Sequence, residues 1–148
     1  MKVPQKFISG LVGALALTAS HEILRKTQPN APRMDQLGKQ SLIKIANNLN
    51  LSLTRKPSTL HNITLAGDVL GNALYYSIIT RSSGKQIWNR SVLLGLLAGI
   101  GAIVLPKPLG LNPQASNRST KTRWLTLALY LEGALVTGFT YQKLTTTK

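Results

Sequence analysis

The stretch Ile87-Trp-Asn-Arg-Ser-Val-Leu-Leu-Gly-Leu-Leu-Ala-Gly-Ile-Gly-Ala-Ile-Val-Leu105 carries one charge, Arg90, close to its start. A bilayer-crossing helix needs about 20 mostly apolar residues, and this run has that length and composition. Three further segments read the same way: Phe7 to Leu24, His61 to Thr80, and Trp124 to Tyr141. Trp88, Trp124 and Tyr141 fall at span ends, where amphipathic rings favour the headgroup level. The segment from His61 is the most polar of the four, with His61, Asn62, Asp68 and Asn72. The expected fold is all-α, an integral membrane four-helix bundle forming a single domain over residues 1–148.

Composition points the same way. Charged residues make up 15% of the chain, against about 25% in ordinary soluble domains, and the apolar residues gather into blocks. The net charge of +14 raises the question of nucleic acid. Phosphate-binding bases usually form a patch with stacking aromatics nearby. Here they flank the apolar blocks instead: Lys2 and Lys6, Arg25 and Lys26, Arg55 and Lys56, Arg81 to Arg90, Arg118 to Arg123, Lys143 and Lys148. That placement suits bilayer-edge charges meeting anionic headgroups, so the expected partner is the lipid bilayer and not nucleic acid. The absence of Cys excludes disulfides and thiolate metal sites.

The connections carry their own signals. Lys2 and Lys6 ahead of the first apolar run resemble a secretory signal, although retention as a span is the expectation. Between the first two spans, Asp35 to Leu51 sets Leu37, Leu42, Ile45, Ala46 and Leu49 at helical spacing, which suits an amphipathic helix lying in the interface or packing on the bundle end. Pro106, Pro108, Gly110 and Pro113 predict an irregular loop from Pro106 to Arg123. The two larger connections hold 11 Lys and Arg and the opposite side holds 7, which predicts both large loops in the cytoplasm and both termini outside. Ser9 to Ala16 aligns with Ser91 to Ala98, and Thr64 to Ala66 with Thr126 to Ala128, which leaves two readings open: a duplication into two parallel helical hairpins, or a chance match between Gly/Ala/Leu-rich helices.

Of four acidic residues, Glu22, Asp68 and Glu132 fall inside the expected spans and only Asp35 outside. An Asp at bilayer depth costs about 2.5–3.5 kcal/mol on insertion scales, so such groups mark functional sites. Asp68, Asn72 and Tyr75 follow i, i+4, i+7 spacing and form one polar stripe, which with Glu132 makes the candidate intramembrane site. His21, Glu22 and Arg25 lie within one turn and form its expected mouth, the bland alternative being an interfacial ion pair. Helix packing is assigned to the Gly67/Gly71 and Gly95/Gly99 pairs.

Several chemistries are weighed on these residues. Asp68 and Glu132 could take part in translocation, giving a transporter or channel-like protein, proton-coupled through groups such as His21. The same groups could instead be interhelical clamps in a non-catalytic accessory subunit. A membrane-embedded enzyme using His21, Glu22 or Asp68 and a haem held by His21 and His61 are further alternatives. No Gly-x-Ser-x-Gly, His-Glu-x-x-His or phosphate loop occurs, and no cofactor or metal is expected. A homodimer or a partner membrane protein would thicken a four-helix wall.

The runs His21-Glu-Ile-Leu-Arg25, Pro29-Asn-Ala-Pro-Arg-Met-Asp35, Gly67-Asp-Val-Leu-Gly-Asn-Ala-Leu-Tyr-Tyr76 and Pro108-Leu-Gly-Leu111 resemble a family of small uncharacterised bacterial multi-pass membrane proteins. The resemblance implies a bacterial multi-pass membrane protein and carries no catalytic residue across; the expected location is the inner cell membrane.

Overall fold

A computed structural model describes residues 4–53, 56–82 and 84–146. Lys2, Arg55 and Lys148, counted above among the edge charges, lie outside them. The described residues are all-α, without a strand: α1 (Gln5–Thr27), α2 (Met34–Asn48), α3 (Pro57–Ser77), a 3-10 turn (Ile78–Arg81), α4 (Lys85–Val104), α5 (Gln114–Asn117) and α6 (Thr120–Thr146).

The helix ends follow local chemistry. Pro57 opens α3, where its missing N–H would have had no intrahelical partner. Gly84 precedes α4 at φ 57°, a conformation that glycine adopts without a Cβ clash. Asn50, at φ 53°, closes α2, with Asn50 N–H donating to Asn47 O at 3.2 Å and Leu51 N–H to Ala46 O at 2.8 Å. That pair of reversed bonds satisfies carbonyls that the helix end leaves open.

α1 lies between α3 and α6, and α4 packs on the other side of α6, giving a curved row α3–α1–α6–α4. Close approach depends on missing side chains. A Cβ on Gly10 would overlap the Ala73 carbonyl of α3, one on Gly13 would overlap Thr137 and the Gly133 carbonyl of α6, and one on Gly95 would lie 2.9 Å from Leu131 Cα. Tyr76 crosses from α3 beneath Gly133 and donates its hydroxyl to Tyr130 O at 2.8 Å. The two hairpins do not pack symmetrically: α1 lies along α6, whereas α3 and α4, the equivalent pair in a duplicated bundle, stand apart.

The buried positions are small or hydroxyl-bearing to an unusual degree: Ser9, Gly10, Gly13, Ala14, Thr18 on α1, Ser91, Gly95, Gly99 on α4, and Thr126, Gly133, Ala134, Thr137 on α6. Buried hydroxyls turn back onto their own helices, as Thr137 does to Gly133 O at 3.0 Å and Ser9 to Gln5 O at 2.8 Å. Large aliphatics point outward instead, with Leu15, Leu70, Leu74, Leu93, Leu97, Ile100 and Val104 all exposed.

One expectation is met in part and another needs correction. By length and composition α1 and α4 are apolar enough to cross a membrane, but α3 and α6 are not. His61, Asn62, Asp68 and Asn72 dilute α3, and Lys121, Arg123, Glu132 and a series of threonines dilute α6. The segment Pro106 to Arg123 is also less irregular than expected: after the prolines come α5 and then α6, which starts at Thr120.

α2 and the segment between α4 and α6 are tied together at one end of the bundle. Lys44 Nζ donates to Leu109 O at 2.5 Å, Asn112 N–H to Gln40 Oε1 at 2.8 Å, Thr122 Oγ1 to Asn30 O at 2.9 Å, and Arg118 reaches the Pro29 and Ala31 carbonyls. The opposite end holds the beginning of α1, the turn before α4 and the end of α6, joined by Gln5 to Leu144 O at 3.2 Å and Gln142 to Gly84 O at 3.4 Å.

Candidate functional site

Asp68 is one residue past the centre of α3 and faces the gap that α3 and α4 leave. Asn72, one turn on, donates Nδ2 to Asp68 Oδ1 and to Asp68 O, both at 3.0 Å, and so fixes the carboxylate. Tyr75, a further turn on, donates its hydroxyl to Leu94 O of α4 at 2.9 Å. The expected polar stripe therefore exists, and its last member bridges the two helices.

The gap is a groove of about 680 Å³ bounded by α2, α3 and α4, with Tyr130 of α6 also lining it. Leu37, Leu42 and Ile45 line it from α2, and Leu97, Ala98 and Ala102 from α4, with Leu105 just past the end of α4. Its volume falls in the range of small-molecule sites, about 300–1,000 Å³. Gly67 and Gly71 do not pack as expected: a Cβ on either meets nothing within 4 Å. Gly67 lines the groove, and both are exposed on α3. Gly95 and Gly99, by contrast, press against Leu131 and Leu127 of α6.

Asp68 also borders a second space of about 20 Å³, lined by Thr18, His21, Glu22, Met34, Asp35, His61, Thr64 and Leu65. That volume admits one water. His21 is only 8% exposed, and among the described residues neither of its ring nitrogens nor the Thr18 hydroxyl has a hydrogen-bond partner. The His21 ring meets Tyr130 edge-on, with centroids 5.9 Å apart. A haem between His21 and His61 does not fit a space of this size. Among the described residues, no three His, Asp or Glu side chains converge to hold a metal.

Glu22 and Arg25 form the expected ion pair, Nη2 to Oε2 at 2.5 Å and Nε to Oε1 at 3.1 Å. Beside them Arg33 and Asp35 pair at 3.2 Å. Burial works against the Asp35 charge, but the Arg33 hydrogen bond and the charges of Arg33, Arg25 and Lys39 outweigh it and hold its carboxyl below the usual range.

Glu132 does not join Asp68. Two residues on a helix turn through about 200°, so with Tyr130 facing inward Glu132 faces out. It is exposed and accepts a hydrogen bond from Ser20 Oγ of α1 at 3.0 Å. The site thus comprises Asp68, Asn72 and Tyr75, with His21, Glu22 and Arg25 behind it. Sequence spacing missed Thr18 of α1 and Tyr130 of α6, which border the spaces beside Asp68 only through helix packing, whereas Thr64, one turn before Asp68 on α3, extends the same stripe and was readable from the spacing. Compared with protein-family models, curated proteins and solved structures, the chain matches none.

Proposed function

We propose that the chain is a multi-pass integral membrane protein, crossing the bilayer with α1, α3, α4 and α6, and that it binds a positively charged substrate or a proton at Asp68 in a transport cycle. The observation that carries the reading is the inverted distribution of side chains. Gly, Ala, Ser and Thr fill much of the helix contacts while most Leu, Ile and Val face outward, Leu17, Ile79, Ile87 and Leu129 being buried exceptions. Lipid rewards that arrangement, because tails are as apolar as leucine and helices associate through close packing. In water these outward leucines, isoleucines and valines would be exposed apolar surface, which soluble monomers carry only in limited patches.

Asp68 is the natural binding group: a carboxylate near mid-helix, oriented by Asn72, reached from the end where α2 and the α4–α6 connection are joined. The far half of the bundle closes on Tyr76, Ile79 and Ile87, all fully buried, which favours a carrier with one open side over a continuous channel. Reconstitution into liposomes with an internal pH dye and a panel of cations tests this. The wild-type chain should support cation-dependent proton movement, and Asp68→Asn should abolish it with elution and helicity unchanged. Unchanged flux in Asp68→Asn would remove the role.

A second reading, an accessory subunit, draws on two observations: Gly67 and Gly71 meet no neighbour, and Glu132 faces outward beside Ser20. Both features would suit contact with another transmembrane helix. In that case substitutions at Gly71 and Glu132 should release a partner, while Asp68→Asn leaves it bound.

A further inference from the structure

The groove beside Asp68 has a charge character opposite to that of the protein. The chain has 18 Lys and Arg against 4 Asp and Glu, yet Asp68 is the one charged side chain among the described residues lining the groove. Apart from Asp68 and Asn72 its walls are largely aliphatic, with Tyr75 and Tyr130 also lining it. Tyrosine faces attract cations, most strongly where water is excluded.

Depth narrows the occupant. Asp68 lies about 4 Å along the helix from the middle of the span His61 to Thr80, whereas lipid headgroups lie about 15 Å from the centre of a 30 Å hydrocarbon core. A phospholipid ammonium would have to leave the interface to reach it. A strongly hydrated inorganic cation would be stripped of water with few oxygens to replace its shell, since only Asp68, Asn72, Ser41, Thr64 and the tyrosines offer polar side chains. A cation that carries its own apolar covering meets neither obstacle.

We propose that the groove binds a lipophilic organic cation, a quaternary onium or substituted ammonium on an apolar body, with its charge at Asp68 and its body against α2 and α4. This inference rests on the membrane reading above and names the substrate class of the same site.

Tetraphenylphosphonium and tetraphenylborate have nearly the same shape and opposite charge, which makes them a matched pair of probes. With the purified full chain in detergent, tetraphenylphosphonium should bind saturably and tetraphenylborate should not compete for that site, although the net charge of +14 favours the anion nonspecifically. Asp68→Asn should weaken phosphonium binding by about thirtyfold or more, as expected when one partner of a buried charge pair is removed. Asp68→Glu should retain part of it. Ala98→Phe, which fills the groove without touching the charge, should abolish binding with elution and helicity unchanged, so the inference survives if Asp68→Asn misfolds.

Equal competition by the borate, or binding indifferent to both Asp68→Asn and Ala98→Phe, would overturn it. So would a stoichiometric phosphatidylethanolamine retained by wild type and lost in both variants. Resistance of the chain to alkaline carbonate extraction is measured alongside: extraction into the soluble fraction sinks the membrane reading itself, whereas a membrane-retained chain that ignores phosphonium sinks only the ligand class.

Discussion

Residue spacing was informative where the partner lay on the same helix. Asp68 and Asn72 are one turn apart and bond as their spacing implies, and Glu22 with Arg25 does the same. It failed across helices, because Asp68 and Glu132 face different directions, and rotation about α6 is set by packing on α1 and α4. Asp35 gives a pH prediction. Its folded pKa lies below the unfolded value of about 3.9, so its charge adds stability at neutral pH and that contribution disappears as pH falls through the folded value. Asp35→Asn should therefore lower stability by about 1 kcal/mol at pH 7, with the two proteins converging below about pH 4, as read from thermal midpoints in detergent. His21 gives another. Its two unpartnered nitrogens are a cost rather than a bond, so His21→Leu should leave the midpoint unchanged or raise it. A loss above about 2 kcal/mol would mean that a bound water in the adjoining space completes its hydrogen bonds.

Helix existence was legible because apolar runs, prolines and basic flanks punctuate the chain. α1, α3, α4 and α6 begin two to four residues before the expected spans, since the helices extend past the apolar stretch into their polar flanks. Which glycines mediate packing was not legible. GxxxG pairs look alike in sequence, but Gly95 and Gly99 face α6 while Gly67 and Gly71 face open space, and the contacts of Gly10 and Gly13 with α3 and α6 are tighter than either pair. This difference is measurable at the scale of the element. Gly67→Ala and Gly71→Ala should each stabilise α3 by about 0.5–1 kcal/mol, the ordinary helix-propensity gain. Gly10→Ala and Gly13→Ala should push α1 away from its neighbours and cost about 1–3 kcal/mol. Thermal unfolding of the four variants separates the two groups, and equal effects would contradict the α3–α1–α6 contacts.

At the scale of the molecule, the chain alternates direction through four long helices, so both larger connections meet at one end and both termini at the other, an arrangement implied by counting spans and borne by the hydrogen bonds between α2 and the 109–112 segment. What the sequence could not disclose was that α3 and α4 fail to close the ring, because the near-symmetry of the two halves suggested that α4 would meet α3 as α1 meets α6. The groove exists because that fourth contact is missing, with α2 lying over the gap. If lipid surrounds these helices, Lys and Arg also fix which end faces the cytoplasm: 11 belong to the connections on the α2 side and 7 to the other. A reporter active only in the cytoplasm should thus be silent when fused after Lys148 and active when inserted after Gly110. The reverse pattern would place the open end of the groove on the outer face, and the cation would then enter Asp68 from outside the cell.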